Sequence, residues 1–204
     1  MARKTAYHHG DLRQALFDTG LAMLEEVGLE GTSLRKIAAR VGVSHAAPEH
    51  HFPTLRHLFN AMAIEGFIRF RASMLDAMRM SDANDADQLR GAMRGYLAFA
   101  VSHPNLFRLM FNKNSLDWDD PRLGEAAQPA RQVLADICKP AAIRMGVDTP
   151  QGRISIEHLV WSHIHGYAHL VIDQKIAADS AVTGAALAPP FDLAGLLLPM
   201  DVKD

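Results

Sequence analysis

The sequence predicts an all-α fold in two domains: an N-terminal three-helix unit over residues 1–53 and a helical remainder over residues 54–204. Three observations carry this expectation. Leu34, Ile37, Ala38 and Val41 recur at i, i+3, i+4 and i+7, which is one apolar face of a helix. Gly42 follows where that helix must stop, and Ser44 offers a new cap oxygen three residues after Val41. Past residue 53, apolar residues keep helical spacing through long stretches separated by short polar or Pro-containing breaks, such as Ser81–Asp85 and Gly146–Pro150.

Residues 1–9 are polar and aperiodic and read as an arm. Arg3 and Lys4 either touch DNA phosphates or the minor groove, or belong to an unstructured tail. A first helix is expected from Asp11 to Val27. Asp11 and Gln14 resemble a capping box, and Leu12, Leu16, Met23, Leu24 and Val27 form a core face. Gly28 closes this helix, and Leu29–Gly31 leads into the next. Thr32 or Ser33 caps the second helix, Gly42 ends it, and Val43 tucks inward. A third short helix runs from Ser44 to His51 with Phe52 behind it. It has little aliphatic surface, and Ala46 and Ala47 permit close backbone approach. Two short helices joined by a tight Gly-containing turn form a helix-turn-helix, whose second helix enters the DNA major groove.

The pairs Ile37-Ala38 and His51-Phe52 and the turn Gly42-Val43-Ser44 together resemble the DNA-binding domain of the TetR (tetracycline-repressor-like) family over residues 7–62. Tyr7–Arg13 and Ser44–Pro48 resemble one subgroup more closely. The resemblance implies DNA contacts from Arg3, Lys4, Thr32, Ser33, Arg35, Ser44, His45, Ala46, Ala47, Glu49, His50 and Thr54. Two positions depart from the family pattern, which has Tyr at Glu49 and often Lys at Leu55, both contacting phosphate. A carboxylate facing the DNA backbone is repelled unless it accepts a hydrogen bond from a cytosine amino group. Glu49 therefore reads a base, points away, or weakens binding. Pro48 falls within the first turn after Ser44, where a missing N–H costs least.

The remainder reads as further helices: one after Pro53 capped by Thr54 and running to about Met80, then Asp87–Ser102, a helix opened by Pro104, Ala130–Met145 and Gln151–Lys175. Residues 112–129 read as a polar loop holding Trp118, and 178–190 as a small-residue loop. Phe191–Leu198 reads as a leucine-rich terminal helix. His103–Phe111 and Trp161–Gly166 resemble the C-terminal domain of the same subgroup, with a Trp…His-Gly signature. The resemblance implies a homodimer through the last two helices and an apolar effector pocket. Aromatic and Met density nominates Met93, Tyr96, Phe99, Phe107, Met110, Phe111, Trp118, Trp161 and His165 as its lining.

Composition bounds the alternatives. The net charge of −2 gives no strong basic footprint, although a small local patch suffices for a dimeric helix-turn-helix. No uncharged apolar run of membrane length and no secretory h-region are present, and the single Cys138 fits a reducing cytoplasm. His45, His50, His51 and His57 match no metal-ligand pattern. His165 and His169 have chelating i, i+4 spacing but lack a third ligand nearby in sequence. No phosphate loop, nucleophile elbow or HExxH stands in the chain. The expectation is a ligand-responsive repressor, not an enzyme, with no cofactor and no metal. The alternative is a helical small-molecule or metal sensor with weakened DNA binding.

Overall fold

The computed structural model describes residues 9–176 and 191–199, and every regular element among them is helical. The order is α1 (His9–Gly31), α2 (Leu34–Val41), a 3-10 turn (Ala47–His50), α3 (Leu55–Arg79), α4 (Asp85–Ser102), α5 (Pro104–Met110), α6 (Pro121–Arg144), α7 (Pro150–Ile172) and α8 (Leu193–Leu197). Arg3 and Lys4, and the loop expected over 178–190, lie outside the described residues. The chain packs as two compact units: one runs to Gly66 and takes in Asn105–Gly124, and the other comprises Phe67–Pro104 and the chain from Glu125. The sequence places the division after residue 53, whereas packing divides the chain inside α3 and returns α5 to the first unit.

In the first unit, α1 and α2 bury Leu16, Leu24, Ile37 and Ala38 against Leu58 and Met62 of α3. Gly28 takes φ 71°, which breaks the regular helix where the sequence places its end. Val27 departs from its expected core role and is 53% exposed, because the true inward stripe passes through Leu16, Met23 and Leu24. Gln14 donates to Asp18 at 2.9 Å rather than closing a capping box, because α1 already begins at His9. Glu25 fastens α5. Its two carboxylate oxygens accept the backbone N–H groups of Asn105 (3.1 Å) and Leu106 (3.0 Å), and the Asn105 amide donates back to the Glu25 carbonyl at 3.0 Å. Buried Asn60 fastens the loop that follows α5. It donates to the Asp117 carbonyl and accepts the Asp117 N–H, each at 2.9 Å.

In the second unit, α3 and α4 meet backbone to backbone. A Cβ on Gly95 would stand 2.6 Å from Met74 Cα, and one on Gly91 would stand 3.0 Å from Met78 Cα. Ser73 seals the contact by donating to the Gly95 carbonyl at 2.8 Å. Helix α7 packs on α4 through Ile156, Val160, Ile164, Ala168 and Val171. Helix α6 starts at Pro121, nine residues before the expected Ala130, and carries Pro129 and Pro140 internally. Each proline removes one backbone hydrogen bond, and burial of Leu123, Ala130, Val133 and Ile137 along the helix offsets the loss.

The terminal leucine helix also differs from expectation. Helix α8 has five residues and buries Leu193, Ala194 and Leu197 within its own unit, where it contacts α4. Arg90 of α4 holds its cap residue Asp192 with a two-pronged pair at 3.0 and 2.6 Å, and Arg90 also binds Asp87 at 2.8 Å. Most of its leucine surface is therefore internal, which leaves α6 and α7 as the last two long helices.

The Gly95 contact sets a test of this packing. Gly95→Ala should destabilise the protein by roughly 2 kcal/mol, the usual scale for overpacking a tight contact. Urea unfolding monitored by circular dichroism reads this directly; an unchanged midpoint would mean that the helices separate freely at Gly95.

Candidate nucleic-acid interface and polar cluster

The helix-turn-helix is built from the residues its sequence singles out, with one local change. Ser33 caps α2 by accepting the Lys36 N–H at 3.3 Å. Gly42 takes φ 81°, and its N–H and that of Val43 both close on the Ala38 carbonyl at 3.0 Å. The expected helix from Ser44 is instead a short 3-10 turn over Ala47–His50, and Ser44 makes no side-chain cap. Pro48 is the cause. In an α-helix capped at Ser44 its nitrogen would have to donate to the Ser44 carbonyl, and proline has no N–H. It also disfavours α geometry at Ala47. The chain therefore tightens, with Ala47 N–H on the Ser44 carbonyl at 3.0 Å and His51 N–H on the Pro48 carbonyl at 2.9 Å. Buried Pro48 and Phe52 anchor the turn from beneath, and Arg13 of α1 lies 5.0 Å over the Phe52 ring.

The sequence-predicted contacts divide by their surroundings. Ser44, His45, Ala46, Glu49, His50 and Thr54 are exposed, and Ser33 and Ala47 are half-buried. Arg35 is exposed and, among the described residues, has no ion-pair partner. Thr32 is buried. Its hydroxyl donates to the Gly28 carbonyl at 2.7 Å and its N–H goes to Leu29, so its polar groups serve the α1–α2 junction. Two other cations of the region are engaged internally. Arg40 forms a two-pronged pair with Glu26 at 2.7 and 2.9 Å, which holds the Glu26 carboxyl below its ordinary range, and Lys36 donates to the Gly31 carbonyl at 2.8 Å. Thr54 Oγ1 lies 2.8 Å from His57 Nδ1 and accepts the His57 N–H at the start of α3.

The nine pocket candidates fall into both units. Phe107, Met110, Phe111 and Trp118 belong to the first, where Phe107 and Met110 are fully buried and Trp118 is 42% exposed. Met93, Tyr96, Phe99, Trp161 and His165 belong to the second. There Tyr96 of α4 joins two residues of α7. Its hydroxyl lies 2.7 Å from His165 Nδ1, and Trp161 hydrogen-bonds to the same oxygen. Indole N–H is only a donor. The Tyr96 oxygen therefore accepts from Trp161 and also shares a hydrogen bond with His165 Nδ1. Burial raises the Tyr96 hydroxyl well above the ordinary range for a phenol. Burial, with a smaller contribution from His169 at a ring separation of 4.7 Å, lowers His165 to about 4. Trp161 is 39% exposed, so one edge of the cluster opens outward. The described residues contain no group of three His, Cys, Asp or Glu side chains arranged to hold a metal. Burial pushes the Cys138 thiol up to about 12.

A cavity of about 810 Å³ also lies in the second unit, between α3 and α4. Of the nine candidates, Phe99 alone lines it; the rest of its wall includes Arg69, Ser73, Arg94, Ala98 and His103. The sequence reading missed these residues because it ranked positions by aromatic and Met content, and this cavity is walled by small and cationic side chains.

Two family models match the chain. Residues 16–62 match the family model described as bacterial regulatory proteins, tetR family. Residues 89–188 match the model described as tetracyclin repressor-like, C-terminal domain. The chain belongs to the TetR family. No helix among the described residues of this TetR-family chain is long and apolar enough to cross a membrane. The chain is 31% identical over 115 residues to the HTH-type transcriptional regulator BetI of Serratia proteamaculans, a match spanning 48% of this chain and 58% of that one. It is 23% identical over 185 residues to the nucleoid occlusion factor SlmA of Salmonella dublin, covering 88% and 89%. A solved structure from Rhodococcus sp. RHA1, of unknown function, has 28% identity and a TM-score of 0.71 and covers 86% of this chain and 90% of its own.

The lowered His165 predicts a pH effect. Its folded value of about 4 lies below the ordinary 6.5, so the unfolded chain binds the extra proton between them. Stability should therefore fall as pH drops from about 6.5 towards 4, above the window in which paired carboxylates titrate. Melting temperature against pH should show this slope, and His165→Gln should flatten it; a slope unchanged by the substitution would assign it to other groups.

Proposed function

We propose that this TetR-family chain is a homodimeric transcriptional repressor, released from a palindromic operator by a small molecule. It acts in the cytoplasm by binding rather than catalysis. The observation that carries the DNA reading is the 3-10 turn and its approach. Pro48 and Phe52 are buried behind it, while His45, Glu49 and His50 present side chains that no described residue engages. The contacting set is Ser33, Arg35, Ser44, His45, Ala46, Ala47, Glu49, His50 and Thr54, with Thr32 orienting α2 from within. Arg3 and Lys4 add an arm. Phosphate contacts are few, so affinity is modest and base contacts at the turn carry much of the discrimination.

A single recognition element reads a half-site, so the function requires a pair. The outward face of α7 supports where the pair forms. Leu159 and Leu170 are 44% and 45% exposed, and Ser162 and Gly166 lie between them on the same side. A Cβ on Gly166 would meet nothing within 4 Å. A mid-helix glycine costs about 1 kcal/mol relative to alanine, and no described residue crowds this position. We assign it to the crossing point with the mate's helix. The Trp…His-Gly signature then combines two tasks, an internal clamp to Tyr96 and an external contact. An effector entering beside Trp161 would compete for the Tyr96–His165 bond, and reciprocal coupling links that event to operator affinity.

Fluorescence anisotropy against DNA from the gene's own upstream region tests the reading. Saturable binding to one near-palindromic segment, weakening as salt rises, is expected. Arg35→Ala should reduce the salt slope by about one unit per recognition element, and Glu49→Tyr should strengthen binding. Uniform weak binding to any sequence would instead favour a helical sensor whose output is not DNA. Gly166→Leu should convert the dimer to a folded monomer in sedimentation velocity; a persistent dimer would place the interface elsewhere.

A further inference from the structure

The trough between α3 and α4 exists because the two helices touch through backbone. With Gly91 and Gly95 at the contact, the helices cannot separate to seat large side chains beside it. The adjoining positions are small: Ala72, Ser73 and Ala77 on α3, and Ala98 on α4. They form a floor with Phe99 set into it, and its volume of about 810 Å³ is in the range of small-molecule sites.

Arg94 supplies the chemistry. It is half-buried on the wall of this trough, and its Nη2 donates to Ser81 Oγ at 2.6 Å. Ser81 is itself fixed, donating to the Ala77 carbonyl at 2.8 Å. The guanidinium is thus held in place by a neutral oxygen, and no carboxylate among the described residues forms an ion pair with it. Asp87 feels its charge but is already bonded to Asn84 and Arg90. Asp76, the acidic residue of the lining, is paired with Arg79. A partly desolvated, pre-positioned guanidinium that no described carboxylate pairs with fits a carboxylate, which it can bind in two-pronged fashion. Along α3 the floor runs from Ala77 to Arg69, about 12 Å at ~1.5 Å per helical residue.

We propose that this trough binds a small amphipathic carboxylate, with its head on Arg94 and its apolar body along Ala77, Ala98 and Phe99. Occupancy depends only on the second unit; its use as an effector site, separate from the opening beside Trp161, rests on the regulator reading above. The test is therefore made without DNA. Octanoate is titrated into the full-length protein by calorimetry, beside octanamide, which keeps the shape without the charge, and inorganic phosphate, which has charge without the tail. Octanoate should bind saturably, one per chain, and at least about tenfold more tightly than either control. Arg94→Gln should weaken octanoate about tenfold, the scale of a charge-assisted pair. Ala72→Phe, at an exposed position of the lining, should weaken octanoate by filling the trough, with circular dichroism confirming that each variant folds. No saturable binding, equal binding of octanamide, or affinity unchanged in both variants would overturn the proposal.

Discussion

The close approach of α3 and α4 is the constraint on which the second unit depends. Without a Cβ at Gly91 and Gly95, two helices share a backbone contact that Ser73 locks with a hydrogen bond. That contact fixes α4, and α4 then presents Tyr96 to α7 and Arg90 to the cap of α8. It also leaves open the space that larger residues would fill elsewhere. A tight contact and an adjacent void are two results of one steric choice.

The first unit is held by a different currency, carboxylate and amide groups placed against backbone. Glu25 satisfies the free N–H groups at the start of α5, and Asn60 does the same for the loop beyond it. These bonds place α5 with the helix-turn-helix rather than with the helices on either side of it in sequence. Glu25 thus ties α5 to α1, and α1 in turn packs on the 3-10 turn through Arg13 and Phe52. The turn is short because Pro48 denies it an α-helical bond, and on neighbouring α2 the Arg40 charge is paired with Glu26.

Much of this was legible in the sequence, for local reasons. The apolar face of α2, the stop at Gly42, the cap at Ser33 and the helices flanking Ser81–Asp85 follow from periodicity and capping, which involve residues a few positions apart. The all-α class and the family resemblance rest on the same short-range signals. Tertiary structure decided matters that depend on distant partners. Val27 fits the periodicity of α1 but faces solvent, because the inward stripe is chosen by what packs on it. Thr32 is polar and lies at the start of α2, but its hydroxyl turns inward to Gly28. Arg94 carries no motif at all, and its role emerges only when Ser81 fixes it over a floor built by another helix. Sequence alone determines which segments are helical and which family they resemble, because those signals act within a few residues. Which side chains remain free to act was decided by folding, because hydrogen bonds and burial reach across tens of residues.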